Sequence, residues 1–209
     1  KNNPELATEK AKDLVRMAIS KVALMQPLEE AKLNVNQTAL VIGGGISGMT
    51  TAKSLAGQGY TTHIVEASGQ LGGNARRIYK SADGSLIKEK LAGLIQSVEG
   101  DDRINIHLDT RLTGVDGFVG SFKSTLTSGD ASEELEHGIA VVATGGTALK
   151  PEEYSYGQDP RILTSLELDE KFMADDPDLK TVKTAVFIQC VGSRQPDRPY
   201  CSRVCCTHS

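Results

Sequence analysis

The chain has 209 residues, 39% apolar, 24% charged and 4% aromatic, which supplies one good core or two small ones and excludes a disordered tail, a collagen or a disulfide miniprotein. Lysine plus arginine is 23 against 27 acidic residues, a net charge of −4, and without tryptophan or a basic stripe this argues against a nucleic-acid groove. The longest apolar runs, 139–143 and 185–188, fall far short of the ~18 residues of a membrane span. The polar start is no signal peptide, so the chain reads as cytoplasmic.

Over 4–25 the apolar residues Leu6, Leu14, Val15, Ala18, Val22 and Met25 recur mostly at steps of three and four, with Glu9, Lys10, Lys12, Asp13, Arg16 and Lys21 among them. That spacing predicts an amphipathic helix, and the polar stretch 26–37 with Pro27 reads as a connector. Residues 39–42 form a short buried strand that runs into Gly43-Gly44-Gly45; 46–55 carry helical spacing through Ile46, Met49, Ala52 and Leu55; 61–65 are β-rich and end at Glu66. Strand, glycine turn, helix and strand within about 30 residues make one βαβ unit of a parallel sheet.

A further helix is expected over 86–98, then strands at 104–108, 111–119, 121–127 and 137–143, the middle ones forming an antiparallel meander. Helical content at 164–172, a second buried strand over 183–189 and a helix that starts after Tyr200 but is not completed close the sequence. The expected organisation is a helix and connector over 1–37 and a three-layer, Rossmann-like α/β domain over 38–160. Residues 161–209 read as the truncated start of a second nucleotide-domain-like segment, the whole being a piece of a longer protein. No internal repeat is visible.

Glycine is over-represented, at 21 residues, and the excess is local. Gly43-x-Gly45-x-x-Gly48 omits side chains where a tight turn, a pyrophosphate and a helix packed on a strand each demand it. Ile46 and Ser47 open the helix whose N-terminal N–H groups and dipole attract an anion. Glu66, 18 residues after Gly48 and followed by Ala67, is placed to accept the ribose hydroxyls of an adenosine. A dinucleotide is the expected ligand. Two further glycine turns, Gly72-Gly73-Asn74 and Thr144-Gly145-Gly146 after a buried strand, follow in the order of the two-dinucleotide-binding flavoproteins, which favours FAD over NAD in the same groove.

Cys190, Cys201, Cys205 and Cys206 fall within the last twenty residues. Structural disulfides are normally spread along a chain to staple it, and a bridge between neighbours 205 and 206 would be strained. Locally gathered thiols suggest a metal, zinc or iron–sulfur, with His208 a further zinc candidate. The spacing matches neither common zinc ribbons nor the bacterial ferredoxin run. Four reduced thiols, or one reactive pair, is the plainer reading. Arg194, Arg198 and Arg203 lie between the cysteines, either to stabilise thiolate charge or as solvated surface groups. His63, His107 and His137 sit in or beside strands and read as satisfied structural residues.

The N-terminal stretch 3–15, the loop Val41-Ile42-Gly43-Gly44-Gly45, residues 137–146, Tyr154-x-Tyr156-Gly157 and the cysteine-bearing stretches 188–194 and 200–206 resemble the A subunits of heterodisulfide reductase. The last two motifs are the specific ones. The resemblance implies an FAD and iron–sulfur subunit of a cytoplasmic electron-transfer complex, whose flavin can split electron pairs between a high- and a low-potential acceptor. It implies other heterodisulfide-reductase-like subunits and ferredoxin or hydrogenase-type carriers as partners. By the same resemblance Gly43, Gly45 and Gly48 face the FAD pyrophosphate, Glu66 the adenosine ribose, and Gly72, Gly73 and Asn74 the ribityl or ring side. Thr144 and Gly145 close the site, and Cys190, Cys201, Cys205 and Cys206 are candidate ligands of a [4Fe-4S] cluster. Both cofactor sites are expected to be incomplete in a piece of this length.

Two rivals remain. A pyridine-nucleotide-disulfide oxidoreductase needs a redox cysteine pair near the flavin; Cys201 and Cys206 give Cys-x4-Cys, but after the wrong strand. A non-catalytic assembly module would use the N-terminal helix and the cysteine-rich end to dock other subunits. No general base or nucleophile is required of a flavin protein, and none stands out.

Overall fold

The computed structural model describes residues 3–27, 34–201, 203 and 205–208. The chain divides into two units, 1–33 and 34–209. The first contributes α1 (Pro4–Ala23), opened by Asn3, whose side chain accepts from the Leu6 N–H at 3.1 Å, with Pro4 at its first position. Pairs Glu9–Lys12 at 2.7 Å and Asp13–Arg16 at 2.9 Å lie along it. Its apolar residues, Leu14, Val15, Ile19 and Val22 among them, are exposed. The helix is therefore held by caps and local pairs and not by a buried face.

The second unit is built on four parallel strands, β1 (Ala39–Ile42), β2 (Thr62–Val65), β3 (Ile104–His107) and β7 (Ile139–Val142), in the order β3-β2-β1-β7. β1 and β2 at its centre are short and buried on both faces. The edge strand β7, expected from its apolar run to be buried, is largely exposed, with Ile139 45% and Val142 73% accessible, because it pairs with β1 on one side alone among the described residues. On one face lie α2 (Ile46–Gly57) and α3 (Ile87–Glu99), whose Met49, Ala52, Ala56, Leu91 and Val98 pack with Val41, Ile64 and Ile104 into the main core. On the other lies an antiparallel meander, β4 (Arg111–Phe118), β5 (Ser121–Ser128) and β6 (Ala131–His137), which seats Leu126 against Leu40 and Val65. The result is three layers: helices, parallel sheet and meander. Later come α4 (Ser165–Met173), capped by Thr164 and Glu167 in a reciprocal box, and the single turn α5 (Cys205–His208).

Three further sequence expectations need correction. The stretch 137–143 is not one strand: β6 ends at His137, Gly138 turns the chain, and β7 joins the parallel sheet. A Cβ on Gly138 would overlap the Asn36 carbonyl, so only glycine passes there. Residues 131–136 escaped a strand assignment because their glutamates mask the alternation. Only Leu135 and His137 turn inward on this edge strand, where charge is at home. Second, 183–189 is neither a strand nor buried, with Val186 80% and Phe187 55% exposed. Strand-forming composition needs a ladder partner, and β7 is paired only with β1 among the described residues. Third, the terminal helix begins at Cys205, not after Tyr200.

His137 is fully buried; its Nε2 lies 2.7 Å from the Ser124 hydroxyl and its Nδ1 2.9 Å from the Ile139 carbonyl. The carbonyl is an acceptor only, so Nδ1 carries the proton and Nε2 accepts from Ser124. Burial pushes the His137 pKa below its ordinary 6.5, against the carbonyl's opposing pull; burial and then His107 do the same to His63. Above pH 6.5 the native and unfolded chains are both neutral at these rings. As pH falls below that value the unfolded chain takes up protons that the native one resists, and stability drops. The urea midpoint is expected to fall between pH 7 and 5, with a shallower fall in His137→Gln; an unchanged slope would contradict the assignment.

Candidate functional site

Three glycine turns meet at the carboxyl end of the parallel sheet. The chain lays down β1, β2 and β3 in one direction, then returns to the far side of β1 for β7, so the order reverses between β1 and β7. At such a switch point the loops diverge and leave a crevice. The first turn, Gly43–Gly45, leaves β1 and caps α2. The third, Ala143–Gly146, leaves β7, and a Cβ on Gly43 would overlap the Ala143 carbonyl. The second, around Gly72 and Gly73, is tied to the first by Gly72 N–H donating to the Gly44 carbonyl at 2.8 Å. Asn74 Nδ2 ties it to the third by donating to the Gly146 carbonyl at 2.8 Å.

The glycines of the first turn are bare for different reasons. Gly43 has φ +112°, which an L side chain rarely adopts, and a Cβ on Gly48 would overlap the Gly43 carbonyl oxygen. A Cβ on Gly44 would press on Leu71 and Glu66. These three are demanded by the chain itself. Gly45 is not: its φ is −75°, and a Cβ there would meet nothing within 4 Å. It caps α2 without a side-chain acceptor and is bridged to Gly72 of the second turn, so the first N–H groups of a twelve-residue helix have no side-chain partner at the cap. Ile46 and Ser47 begin that helix and are exposed, while Gly48 is buried beneath them.

Glu66 sits where β2 ends, half-buried, with both carboxylate oxygens engaged. Oε2 accepts the Gly44 N–H at 2.7 Å; Oε1 accepts the Ser68 N–H at 2.8 Å and the Ser68 hydroxyl at 2.7 Å. Burial works to raise its pKa, but donation from the Ser68 hydroxyl and from the N–H groups of Ser68, Gly44 and Ala67 prevails and holds it below the usual carboxylate range. The carboxylate therefore both splints the first glycine turn and keeps a lone pair on Oε2 for an outside hydroxyl. Ser68 was missed in the sequence; its signal is the position two residues after an acid, where a hydroxyl and N–H together orient a carboxylate. Ala67 lies beside it and is exposed.

Gly72 and Gly73 both have positive φ, +116° and +50°, so a left-handed turn brings the second loop across the first. Gly73 and Asn74 are exposed at the rim. Thr144 and Gly145 are exposed after β7, with Gly145 at φ +67°. The structure thus brings the three glycine turns and Glu66 to the same end of the sheet, with Gly48 and Gly72 buried there and Ile46, Ser47, Ala67, Gly73, Asn74, Thr144 and Gly145 exposed.

The cysteines are not gathered in the same way. Cys190 is half-buried at φ +64° in a turn where the Ser193 N–H reaches its carbonyl at 3.2 Å; Cys201, Cys205 and Cys206 are exposed, and none is in a disulfide. Arg194 N–H donates to the Tyr200 carbonyl at 3.2 Å, closing the loop between the first cysteine and the rest. Among the described residues no three histidine, cysteine or acidic side chains converge as a metal site. The donor chemistry suits a soft metal; the arrangement shown does not assemble one. The His208 side chain lies outside the described residues.

A profile of the NAD(P)-binding Rossmann-like domain matches residues 41–98. The A subunit of the H(2):CoB-CoM heterodisulfide,ferredoxin reductase of Methanothermobacter thermautotrophicus is 31% identical, the match taking in 99% of this chain and 45% of that protein. The iron-sulfur A subunit, form 2, of the CoB--CoM heterodisulfide reductase of Methanopyrus kandleri is 30% identical over 100% of this chain and 46% of its own length. The chain spans less than half the length of these relatives, and the first alignment runs 300 positions against 209 residues here. Among solved structures, L-proline dehydrogenase from P. horikoshii superposes with a TM-score of 0.47 at 26% identity, over 57% of this chain and 25% of that one. No helix among the described residues is long and apolar enough to cross a membrane.

The contrast among the glycines is measurable in the protein alone. Gly48→Ala is expected to lower the unfolding free energy by about 1–3 kcal/mol or more, since the clash is with backbone. Gly45→Ala is expected to stay within about 1 kcal/mol of the parent or to stabilise. Urea unfolding of both variants checks this; equal losses would remove the distinction.

Proposed function

We propose that this chain, a homologue of the heterodisulfide reductase A subunits along 99% of its length, is the FAD-binding part of an electron-transfer oxidoreductase subunit of a cytoplasmic complex. The observation that carries the reading is Gly45, bare although a Cβ added there would meet nothing within 4 Å, at the start of α2 where no side chain caps the helix. An absent side chain that the fold does not require marks where a ligand backs onto the chain. A diphosphate suits a helix N-terminus at a switch point.

The residues divide the work. Gly43, Gly45, Ile46, Ser47 and Gly48 take the pyrophosphate. Glu66, ionised and held by Ser68, accepts a ribose hydroxyl on Oε2, with Ala67 alongside. Gly72, Gly73 and Asn74 border the other half, and Thr144 and Gly145 close it from the β7 side. FAD is favoured over NAD because these three turns share one mouth in that chain order. Bound there, a flavin accepts a hydride or passes electrons singly, and the protein's part is to bind, orient and exclude water.

The relatives are named for reduction of a heterodisulfide and, in one case, of ferredoxin as well, which supports other subunits of such a complex and ferredoxin or hydrogenase-type carriers as partners. One donor serving two acceptors in that name also supports electron-pair splitting. Cys190, Cys201, Cys205 and Cys206 are proposed as [4Fe-4S] ligands on thiol chemistry and the family resemblance alone.

Titration of FAD into the 209-residue chain is expected to quench the flavin's emission with saturation, and Glu66→Gln to weaken binding about tenfold, the scale of a charge-assisted hydrogen bond. Unchanged emission in the parent chain would end the reading. Anaerobic reconstitution with iron and sulfide is expected to give broad visible absorbance that Cys201→Ala loses; equal absorbance in both would remove Cys201 from the ligand set.

A further inference from the structure

The second glycine turn is anchored on its inner side, where Leu71 and Ala75 enter the main core and Gly72 and Asn74 bond to the neighbouring turns. Gly72 and Gly73 stand consecutively in left-handed conformations, without side chains and with the largest backbone entropy to lose. Arg76 Nε folds back onto the Leu71 carbonyl of the same turn. Arg77 does the opposite. It leaves the turn and pairs through Nε with Glu170 of α4, 93 residues away in sequence. Two residues on, the Tyr79 ring stacks on Phe172 of the same helix, centroids 5.7 Å apart and 15° from parallel. Helix α4 is itself fixed at its start by the Thr164–Glu167 capping box, and Glu167 accepts a further bond from the Tyr156 hydroxyl at 2.6 Å.

On the reading above, a dinucleotide whose ribose is held by Glu66 at the end of β2 crosses the start of α2 and continues toward β7. Its redox half then lies where Asn74 meets Gly146. We propose that α4 is a buttress for that half of the site: through Arg77–Glu170 and Tyr79–Phe172 it sets the position of residues 72–77 against the flavin. Glu170 and Arg77 are positioning residues; neither need touch the cofactor. The adenosine half depends on Glu66 and α2, which neither the Arg77–Glu170 pair nor the Tyr79–Phe172 stack touches; the second turn meets the first through the Gly72 N–H, which donates to the Gly44 carbonyl.

The test rests on that asymmetry. Affinities of ADP and of FAD are measured for the parent chain, Glu170→Gln, Arg77→Glu and the exchanged pair Arg77→Glu/Glu170→Arg, with circular dichroism to verify folding and the visible spectrum of bound flavin recorded. The pair is half-exposed, so the single variants are expected to lose about threefold to fivefold in FAD affinity. ADP affinity should hold, the flavin bands should shift, and the exchanged pair should recover both FAD affinity and spectrum. Equal loss for ADP and FAD, no loss for either, or no recovery in the exchanged pair overturns the buttress. A parent chain that binds neither ligand overturns the dinucleotide reading itself, and the buttress with it.

Discussion

The site depends on a close approach of backbone to backbone at the end of β1. Within a few residues the chain leaves the strand, passes the Ala143 carbonyl on one side and Leu71 on the other, and starts a helix that rests on the turn it has just made. Hydrogen atoms are the only substituents that fit at Gly43 and Gly48. This contact places β7 beside β1, points α2 at the crevice and lets Glu66 reach the Gly44 N–H. The fold and the shape of the crevice are one constraint seen from inside and from outside.

Much of this was legible from residue order. The βαβ unit, the helix after Leu86 and the long hairpin of β4 and β5 follow from periodicity and turn residues, and each lies within a residue or two of its expected place. The three glycine turns were legible as motifs, and their meeting follows from the parallel sheet they connect. What periodicity does not carry is pairing. The glutamate-rich β6 is a strand because β5 offers it a ladder, and 183–189 is not one because nothing described here does. Partners are a property of the assembled sheet, and composition sees only one side of each pair.

The carboxylate of Glu66 shows a second limit. Its position after β2 marks it in the sequence as a candidate acceptor, but not that Ser68 and Gly44 already donate to it. An acid that is pre-engaged by backbone N–H groups stays ionised and stays aimed, which is the condition for accepting a hydroxyl without reorganising. The cysteine-rich end is the reverse case. Its motif is the most specific in the sequence, and yet the four sulfurs are spread over a turn at Cys190, an irregular stretch at Cys201 and a single helical turn at Cys205 and Cys206, most of them exposed. Sequence specificity and local preorganisation are separate properties.

One residue, Gly138, separates the last meander strand from the last strand of the parallel sheet. Because no loop intervenes, there is no slack between the two layers. From Gly138 the chain runs straight through β7 to Val142 and into the turn whose Gly146 carbonyl accepts from Asn74. The covering layer and the rim of the crevice are thereby stitched together by a single backbone path with one glycine at its corner.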